Sequence, residues 1–257
     1  MIDHISIVII TRNAAATLGA TLDAVREFSN VVVWDNDSND GTLQLAGGYP
    51  NVDIHRAQFI GFGPSKNAAC DLARHDWVVS LDADECPNAS LIDALRAWTG
   101  DDPHEVGRVL RENHFMGRAV RRGGWGNDRL VRLFHRHTHR FDDAQVHEKV
   151  LLDAQSRMVD LPGCIEHAAV TELGQFLQKI DRYTEIRRQS GGRTYPATIV
   201  VIKAAFAFFR SFILQLGFLA GWRGLVIAWS NANGVFYKYM KLLADRRVAS
   251  ERDPPNG

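Results

Sequence analysis

The sequence has little cysteine: Cys70, Cys86 and Cys164 are the only three in 257 residues. Their odd number and wide spacing exclude a disulfide framework and the paired spacing of a zinc finger, so a reducing compartment is expected. It has no excess of charge either. Lys+Arg and Asp+Glu both number 30, so overall charge points to no class of partner, and no nucleic-acid partner is expected. No uncharged apolar run reaches the roughly 18 to 20 residues that a spanning helix needs. No internal repeat is visible. The N-terminus enters a strand pattern at once, "HISIVIITRN", with neither the basic nor the long apolar region of a signal peptide, and the expected location is the cytoplasm.

What is present is alternation. Ile5–Ile10 is a short β-branched run, followed by helical spacing at Leu18, Leu22, Val25 and Phe28. "VVVWD" reads as a second strand, "GTLQLA" as a helix, "VDIHRA" as a third strand, "GPSKNAACDLA" as a helix and "WVVSLDAD" as a fourth strand. Such alternation predicts an α/β fold with a parallel, Rossmann-like sheet flanked by helices, whose ligands bind at the carboxyl ends of the strands. From about 104 to 168 short segments rich in Arg, His and Gly predict mixed, partly antiparallel strands on the same sheet. Residues 1–170 are therefore read as one domain with halves 1–103 and 104–170, 171–245 as a helical extension, and 246–257 as a polar, flexible tail.

The extension holds "TIVVIKAAFAFFRSFILQLGFLAGWRGLVIAW", interrupted by Lys203, Arg210 and Arg223. It reads either as a helical hairpin buried on the main domain or as a segment lying in a membrane surface. Its density of aromatic and basic residues, Phe218, Trp222 and Trp229 among them, favours the membrane surface. Charge is also unevenly placed. Nine arginines lie between Arg108 and Arg140, against Glu112 and Asp128 alone. That reads as a basic field suited to phosphate groups, or as an ordinary solvated surface.

The fourth strand delivers Asp82, Asp84 and Glu85 within four positions. Two aspartates one residue apart after a buried strand suit a hard divalent cation, Mg²⁺ or Mn²⁺, that bridges to substrate phosphates. Alternatively, Asp84 or Glu85 caps a helix that opens near Pro87. Asp35 ends the second strand, where an acidic residue can read a ribose hydroxyl or a base edge, with Asn36 after it. Thr11, Arg12 and Asn13 end the first strand, and Lys66 in "GFGPSKN" is placed to face a diphosphate. Each alone could be turn chemistry. Together they outline a nucleoside-diphosphate site.

These segments, "SIVIITRN", "VVVWDNDSNDGT", "GFGPSKNAA" and "DWVVSLDADE", resemble family 2 glycosyltransferases of the GT-A fold. "GGWGNDRLVRLFHR", "FDDAQVHEKV" and "GFLAGWRGLVIAWSNANGVFYKYMKL" resemble, more narrowly, the branch that glucosylates the lipopolysaccharide inner core. The pattern departs from the family at Asn13-Ala14, at Ser65-Lys66 and at Asn36. The resemblance implies an inverting, metal-dependent transfer of a hexose from a nucleotide-diphosphate sugar, UDP favoured, to a phosphorylated lipid-linked glycan, on the inner face of the cell membrane. It implies Glu148 as general base with Asp128 as rival, and His167 as metal ligand with Asp84. Asp82 is placed on the donor. Asp128 reads equally as an ion-pair partner of Arg129 or Arg132. Trp125, in "GGW", reads as a sugar platform or as a core ring. Arg121, Arg122, Arg129 and Arg132 are expected at acceptor phosphates, and His147 at the acceptor or beside Glu148. A polyprenyl-phosphate glycosyltransferase is the alternative, disfavoured by the short apolar segments. A nucleotidyltransferase should carry a Gly-rich phosphate loop, and "IITRNAAAT" is not one.

Overall fold

The computed structural model describes residues 1–126, 128–144 and 148–252. Packing divides them into two compact units, one of residues 1–112 and 128–168 and one of 113–127 and 169 onward. The segment 113–127 goes with the C-terminal helices.

In the first unit the chain runs β1 (Ile5–Thr11), α1 (Leu18–Ala24), β2 (Val31–Asp35), α2 (Thr42–Ala46), β3 (Val52–Arg56), α3 (Phe62–Asp71), β4 (Trp77–Asp82), β5 (Glu85–Pro87) and α4 (Ala89–Arg96). Three longer strands follow, β6 (Glu105–Phe115), β8 (Asp128–His135) and β9 (Arg157–Val170); the last residues of β6 and β9, and the short β7 (Arg118–Ala119) paired with the end of β6, belong to the second unit. The sheet order is β3-β2-β1-β4-β8-β6-β9-β5. The first four strands are mutually parallel, whereas β4–β8, β6–β8 and β5–β9 are antiparallel, so the sheet is mixed.

Alternation along the strands makes the two-sided core. Ile5, Ile7 and Ile9 of β1, with Val31, Val33, Val79 and Leu81, join Leu18 and Leu22 of α1 and Leu91 and Leu95 of α4 on one face. Val8, Val32 and Val78 point the other way, onto Ala69 and Cys70 of α3 and onto Phe134 and Phe141. Period-two side-chain direction explains why uninterrupted apolar runs are needed here: both faces are covered. Each fully buried Ile or Leu contributes about 1.5–3 kcal/mol.

Parallel register then sets the upper edge. Thr11 lies opposite Asp35, and Ile10 opposite Asp82, so the ends of β1, β2 and β4 arrive side by side. Helix α3 lies close enough to the 141–144 segment that the Gly63 N–H donates to the Ala144 carbonyl at 3.2 Å. A Cβ at Gly63 would strike the Asp142 carbonyl.

The helix expected near Pro87 begins at Ala89, and its cap is Asn88, whose side-chain oxygen accepts from the Leu91 N–H at 3.0 Å. Neither Asp84 nor Glu85 caps it. Glu85 instead lies on β5, fully buried.

The second unit holds α5 (Leu173–Gln189), α6 (Ala197–Phe209), a π-helical turn (Arg210–Leu214), a 3-10 turn (Gly217–Ala220) and α7 (Trp222–Arg252). Phe115, Val120, Val170 and Ile227 form its small core, with Trp125 and Phe176 against it. Helix α7 continues to Arg252, so most of the expected flexible tail is helical, and residues 253–257 lie outside the described residues. The continuous helical stretch Ala197–Leu214 is long and apolar enough, by length and composition, to cross a membrane, although Lys203 and Arg210 interrupt it. It keeps Val201, Ile202, Phe206 and Leu214 exposed.

The contact at Gly63 gives a direct expectation. Gly63→Ala is to lower unfolding stability by about 1–3 kcal/mol, the usual cost of forcing atoms into packed backbone, measured by urea denaturation. A neutral substitution would show that α3 does not need this approach.

Candidate active site

The floor of the site is a buried group of charges carried by β4, β5, β6, β8 and α3. The Lys66 ammonium is fully buried and lies 2.9 Å from Asp82 Oδ1 and 2.6 Å from Glu148 Oε1. Arg132, nearly buried, reaches Glu85 Oε1 at 2.5 Å and Asp82 Oδ2 at 3.5 Å. Arg111 reaches the same Glu85 oxygen at 3.3 Å and grips Asp128 Oδ2 through Nε and Nη2 at 2.8 and 2.6 Å. The other Glu85 oxygen accepts the Asp82 backbone N–H at 3.0 Å. Among the described residues three cations thus face four carboxylates, and Asp84 lies nearby.

Charges this deep persist only because each has partners. Burial acts to lower the Lys66 pKa, but the charges of Asp82 and Glu148 outweigh it and raise it. For Asp82, burial pushes upward, while Lys66, Arg132 and Arg111 hold the carboxyl far below the usual carboxylate range. The Arg132 guanidinium is likewise raised against its burial by Glu85 and Asp82.

Asp84 leaves the end of β4 as the chain turns into β5. The β5–β9 ladder pairs Glu85 with His167, and the Asp84 carbonyl accepts the Ala168 N–H at 3.0 Å. That pairing brings His167 Nε2 to 3.4 Å from Asp84 Oδ2. A carboxylate oxygen and an imidazole nitrogen that converge in this way fit a divalent ion such as Mn²⁺. Among the described residues no group of three or more His, Cys, Asp or Glu gathers as a metal cage, so protein atoms would supply part of a coordination shell that substrate oxygens and water complete.

At the ends of β1 and β2, three buried polar atoms have no hydrogen-bond partner among the described residues: Thr11 Oγ1, Asp35 Oδ1 and Asn36 Oδ1. Such atoms are costly unless something else satisfies them. The backbone around them is pinned. The Asn36 N–H donates to the Thr11 carbonyl at 2.8 Å, Ser38 N–H to Asp35 Oδ2 at 3.0 Å, and Asn13 N–H to Ser38 Oγ at 2.8 Å. Asn13 and Asp37 both take positive φ, at 52° and 56°. Arg12 is exposed beside them and makes no ion pair among the described residues.

Several expected roles change. Lys66, expected to face a diphosphate, is enclosed and bridges Asp82 to Glu148. Arg132, expected at an acceptor phosphate, is buried on Glu85. Arg129 pairs with Asp160 at 3.3 Å. Asp128 pairs with Arg111, rather than with Arg129 or Arg132. Much of the basic field is neutralised by acids from elsewhere in the chain: Arg108 by Asp160, Arg136 by Asp76 and Arg140 by Asp71. Arg121, Arg122 and Trp125 belong to the second unit, both arginines exposed and Trp125 packed against Phe115 and Phe176 at ring distances of 6.0 and 6.1 Å. His147 lies outside the described residues. Glu148 keeps one oxygen on Lys66, while the other makes no ion pair or hydrogen bond among the described residues. Sequence reasoning missed Glu85 as the hub and Arg111 as its second partner. The only signal was an acidic residue that directly follows a segment read as a buried strand.

The mixed sheet thus gathers Thr11, Asp35, Asp82 and Asp84 at one edge, where open α/β sheets bind their ligands. The model of glycosyl transferase family 2 matches residues 6–151, more than half of the chain, and the protein belongs to that family. The chain is 22% identical over 252 residues to an uncharacterized glycosyltransferase of Rickettsia typhi, covering 93% of this chain and 86% of that one. It is 27% identical over 153 residues to the lipopolysaccharide core biosynthesis glycosyltransferase LpsC of Rhizobium meliloti, covering 57% of each. Among solved structures, S. aureus TarS 1–349 in complex with UDP-GlcNAc superposes with a TM-score of 0.48 at 16% identity, over 95% of this chain and 92% of that one.

The acid side of the stability curve tests the charge group. A carboxyl titrating below its unfolded value of about 3.9 stabilises fully above that pH and loses the effect as pH falls beneath it. Asp82→Asn is therefore to cost most stability at neutral pH, and the gap to wild type is to shrink in urea melts on acidification from pH 5 to 3. A gap independent of pH would refute the assignment.

Proposed function

We propose that the protein is an inverting, divalent-cation-dependent glycosyltransferase. It moves a hexose such as glucose from a nucleoside-diphosphate sugar, with UDP the favoured nucleotide, to a phosphorylated, membrane-linked glycan such as the lipopolysaccharide inner core. The observation that carries this reading is the row of unsatisfied buried atoms at Thr11, Asp35 and Asn36, next to the convergent Asp84–His167 pair. The first group suits the hydroxyls and base edge of a nucleoside. The second suits Mg²⁺ or, given the imidazole, Mn²⁺, which when bound supplies positive charge against the leaving diphosphate. The lipopolysaccharide acceptor is supported by the name of LpsC, a relative at 27% identity.

Roles follow from the geometry. Asp35, Thr11 and Asn36 hold the nucleoside, with Arg12 and Asn13 at the rim. Asp84 and His167 take the cation. Asp82 stays charged and anchors Lys66, and Lys66 fixes one Glu148 oxygen. The other Glu148 oxygen is the acceptor for the proton of the attacking hydroxyl, a general-base role. Asp128, with one oxygen doubly gripped by Arg111, is the weaker candidate.

The second unit fits a membrane surface. Ile202, Leu219 and Trp229 are 63%, 60% and 61% exposed, too apolar a face for water alone. Arg223 stacks on Trp222 at 4.6 Å, and Lys203 lies over the Tyr195 ring at 4.7 Å, the aromatic–basic pairing suited to a headgroup layer. These features support the reading that the protein works at the inner face of the cell membrane.

Two measurements test the reading. Nucleoside-diphosphate release from a panel of nucleotide sugars with Mn²⁺ is to be lost in Asp84→Ala and reduced about 10²–10⁴-fold in kcat in Glu148→Gln. A larger loss in Asp128→Asn would move the base there, and turnover insensitive to Asp84→Ala would end the metal assignment. The wild type is to sediment with phosphatidylglycerol vesicles, and Ile202→Asp/Leu219→Asp is to remain in the supernatant. A wild type that never sediments would end the membrane reading.

A further inference from the structure

The "GGW" segment is held in an unusual way within the second unit. Gly123 and Gly124 take φ of 71° and 93°, a left-handed path that side chains resist. The Gly123 N–H donates to the Gln215 carbonyl at 2.9 Å. Its own carbonyl accepts from Ser211 Oγ at 2.9 Å, and Ser211 Oγ accepts from Asn231 Nδ2 at 3.1 Å. A Cβ on Gly124 would lie 2.8 Å from Gln215 Oε1. The clamp comes from a helix that departs from α geometry: the π-turn Arg210–Leu214, followed by Leu216 at φ 55°. Such departures cost energy, and they concentrate at functional sites.

A half-open cavity of about 320 Å³ lies beside these pieces, lined by Gly124, Trp125, Arg210, Gln215 and Asn231 among others. That is the small end of the roughly 300–1,000 Å³ range of ligand sites, suited to one compact unit. Its chemistry is mixed. Trp125 offers aromatic surface. Gln215 and Asn231 offer amides able both to donate and to accept. Arg210 is an exposed guanidinium with no ion pair among the described residues, while Asp181, Glu185 and Asp245 of the same unit are engaged with Lys241 and Arg188. An aromatic face, two amides and one uncommitted guanidinium match a sugar ring that carries a phosphate.

We propose that this cavity binds a single phosphorylated sugar unit, with Trp125 against the ring, Gln215 and Asn231 on its hydroxyls and Arg210 on the phosphate. The inference rests on the reading of the protein as a transferase for a phosphorylated glycan, whose acceptor it would hold. Arg210, Gln215 and Asn231 then join Trp125 as acceptor residues that sequence reasoning did not reach.

The test is calorimetric titration of the full chain with glucose 6-phosphate, glucose and inorganic phosphate, each with and without saturating UDP. Glucose 6-phosphate is to bind more tightly than either fragment, and to do so with UDP present. Arg210→Ala is to weaken it about 10- to 100-fold, as loss of a charged hydrogen bond would. Arg210→Lys, which keeps the charge without the planar fork, is to fall between. Near-ultraviolet circular dichroism checks that both variants are folded. Binding of inorganic phosphate equal to that of the sugar phosphate, or no change in Arg210→Ala, would overturn the proposal. So would an Arg210-dependent affinity for phosphatidylglycerol vesicles without sugar-phosphate binding, which would make the ligand a lipid headgroup. UDP binding without glucose 6-phosphate binding would sink this site alone. The reverse would sink the transferase reading and leave the site.

Discussion

Everything at the sheet edge depends on one buried ammonium. Lys66 has no exposure to water, so its charge survives only because Asp82 and Glu148 lie within 2.9 and 2.6 Å. Removing either acid leaves an expensive charge half-compensated. The dependence runs outward. Asp82 is shared with Arg132, Arg132 is shared with Glu85, and Glu85 also holds Arg111, which holds Asp128. The carboxylates singled out by the sequence are thus not independent ligands lying loose on a strand end. They are members of a network with set positions, and set positions are what transition-state stabilisation requires.

The network also separates two kinds of acid that look alike in "DADE". Glu85 is fully buried and committed to arginine, and Asp82, about one-third exposed, is committed to lysine and arginine. Asp84 instead approaches His167, where the chain passes from the end of β4 into β5. The sheet thereby leaves one carboxylate outside the network for the proposed cation, while two others hold the floor together.

The parallel half of the fold was legible because it is local. β1, β2 and β4 are apolar runs covered on both faces, and each ends at a polar residue that register places at the edge, Thr11, Asp35 and Asp82. The Asp84–His167 pair was reachable only through resemblance, since the ladder that joins them links distant segments. What could not be read was partnership. Nine clustered arginines suggested a basic field, but Asp71, Asp76 and Asp160 come from a helix, a loop and another strand and cancel much of it. Lys66 was expected to face a diphosphate, because a single lysine near the start of a helix gives no sign of burial. Glu85 looked like a helix cap because the capping residue, Asn88, lies three positions later.

The β5–β9 ladder carries a consequence for biosynthesis. Strands β1 to β4, with the nucleoside edge, lie in the first third of the chain, whereas His167 and Glu148 arrive only after β8 has been made. A nascent chain that has released its first four strands has the proposed nucleoside edge but neither the completed pair proposed for the cation nor the proposed base. The order of synthesis therefore keeps the two halves of the chemistry apart until the last strand of the first unit closes against β5, and long-range closure of this kind is intrinsically the slow step of folding.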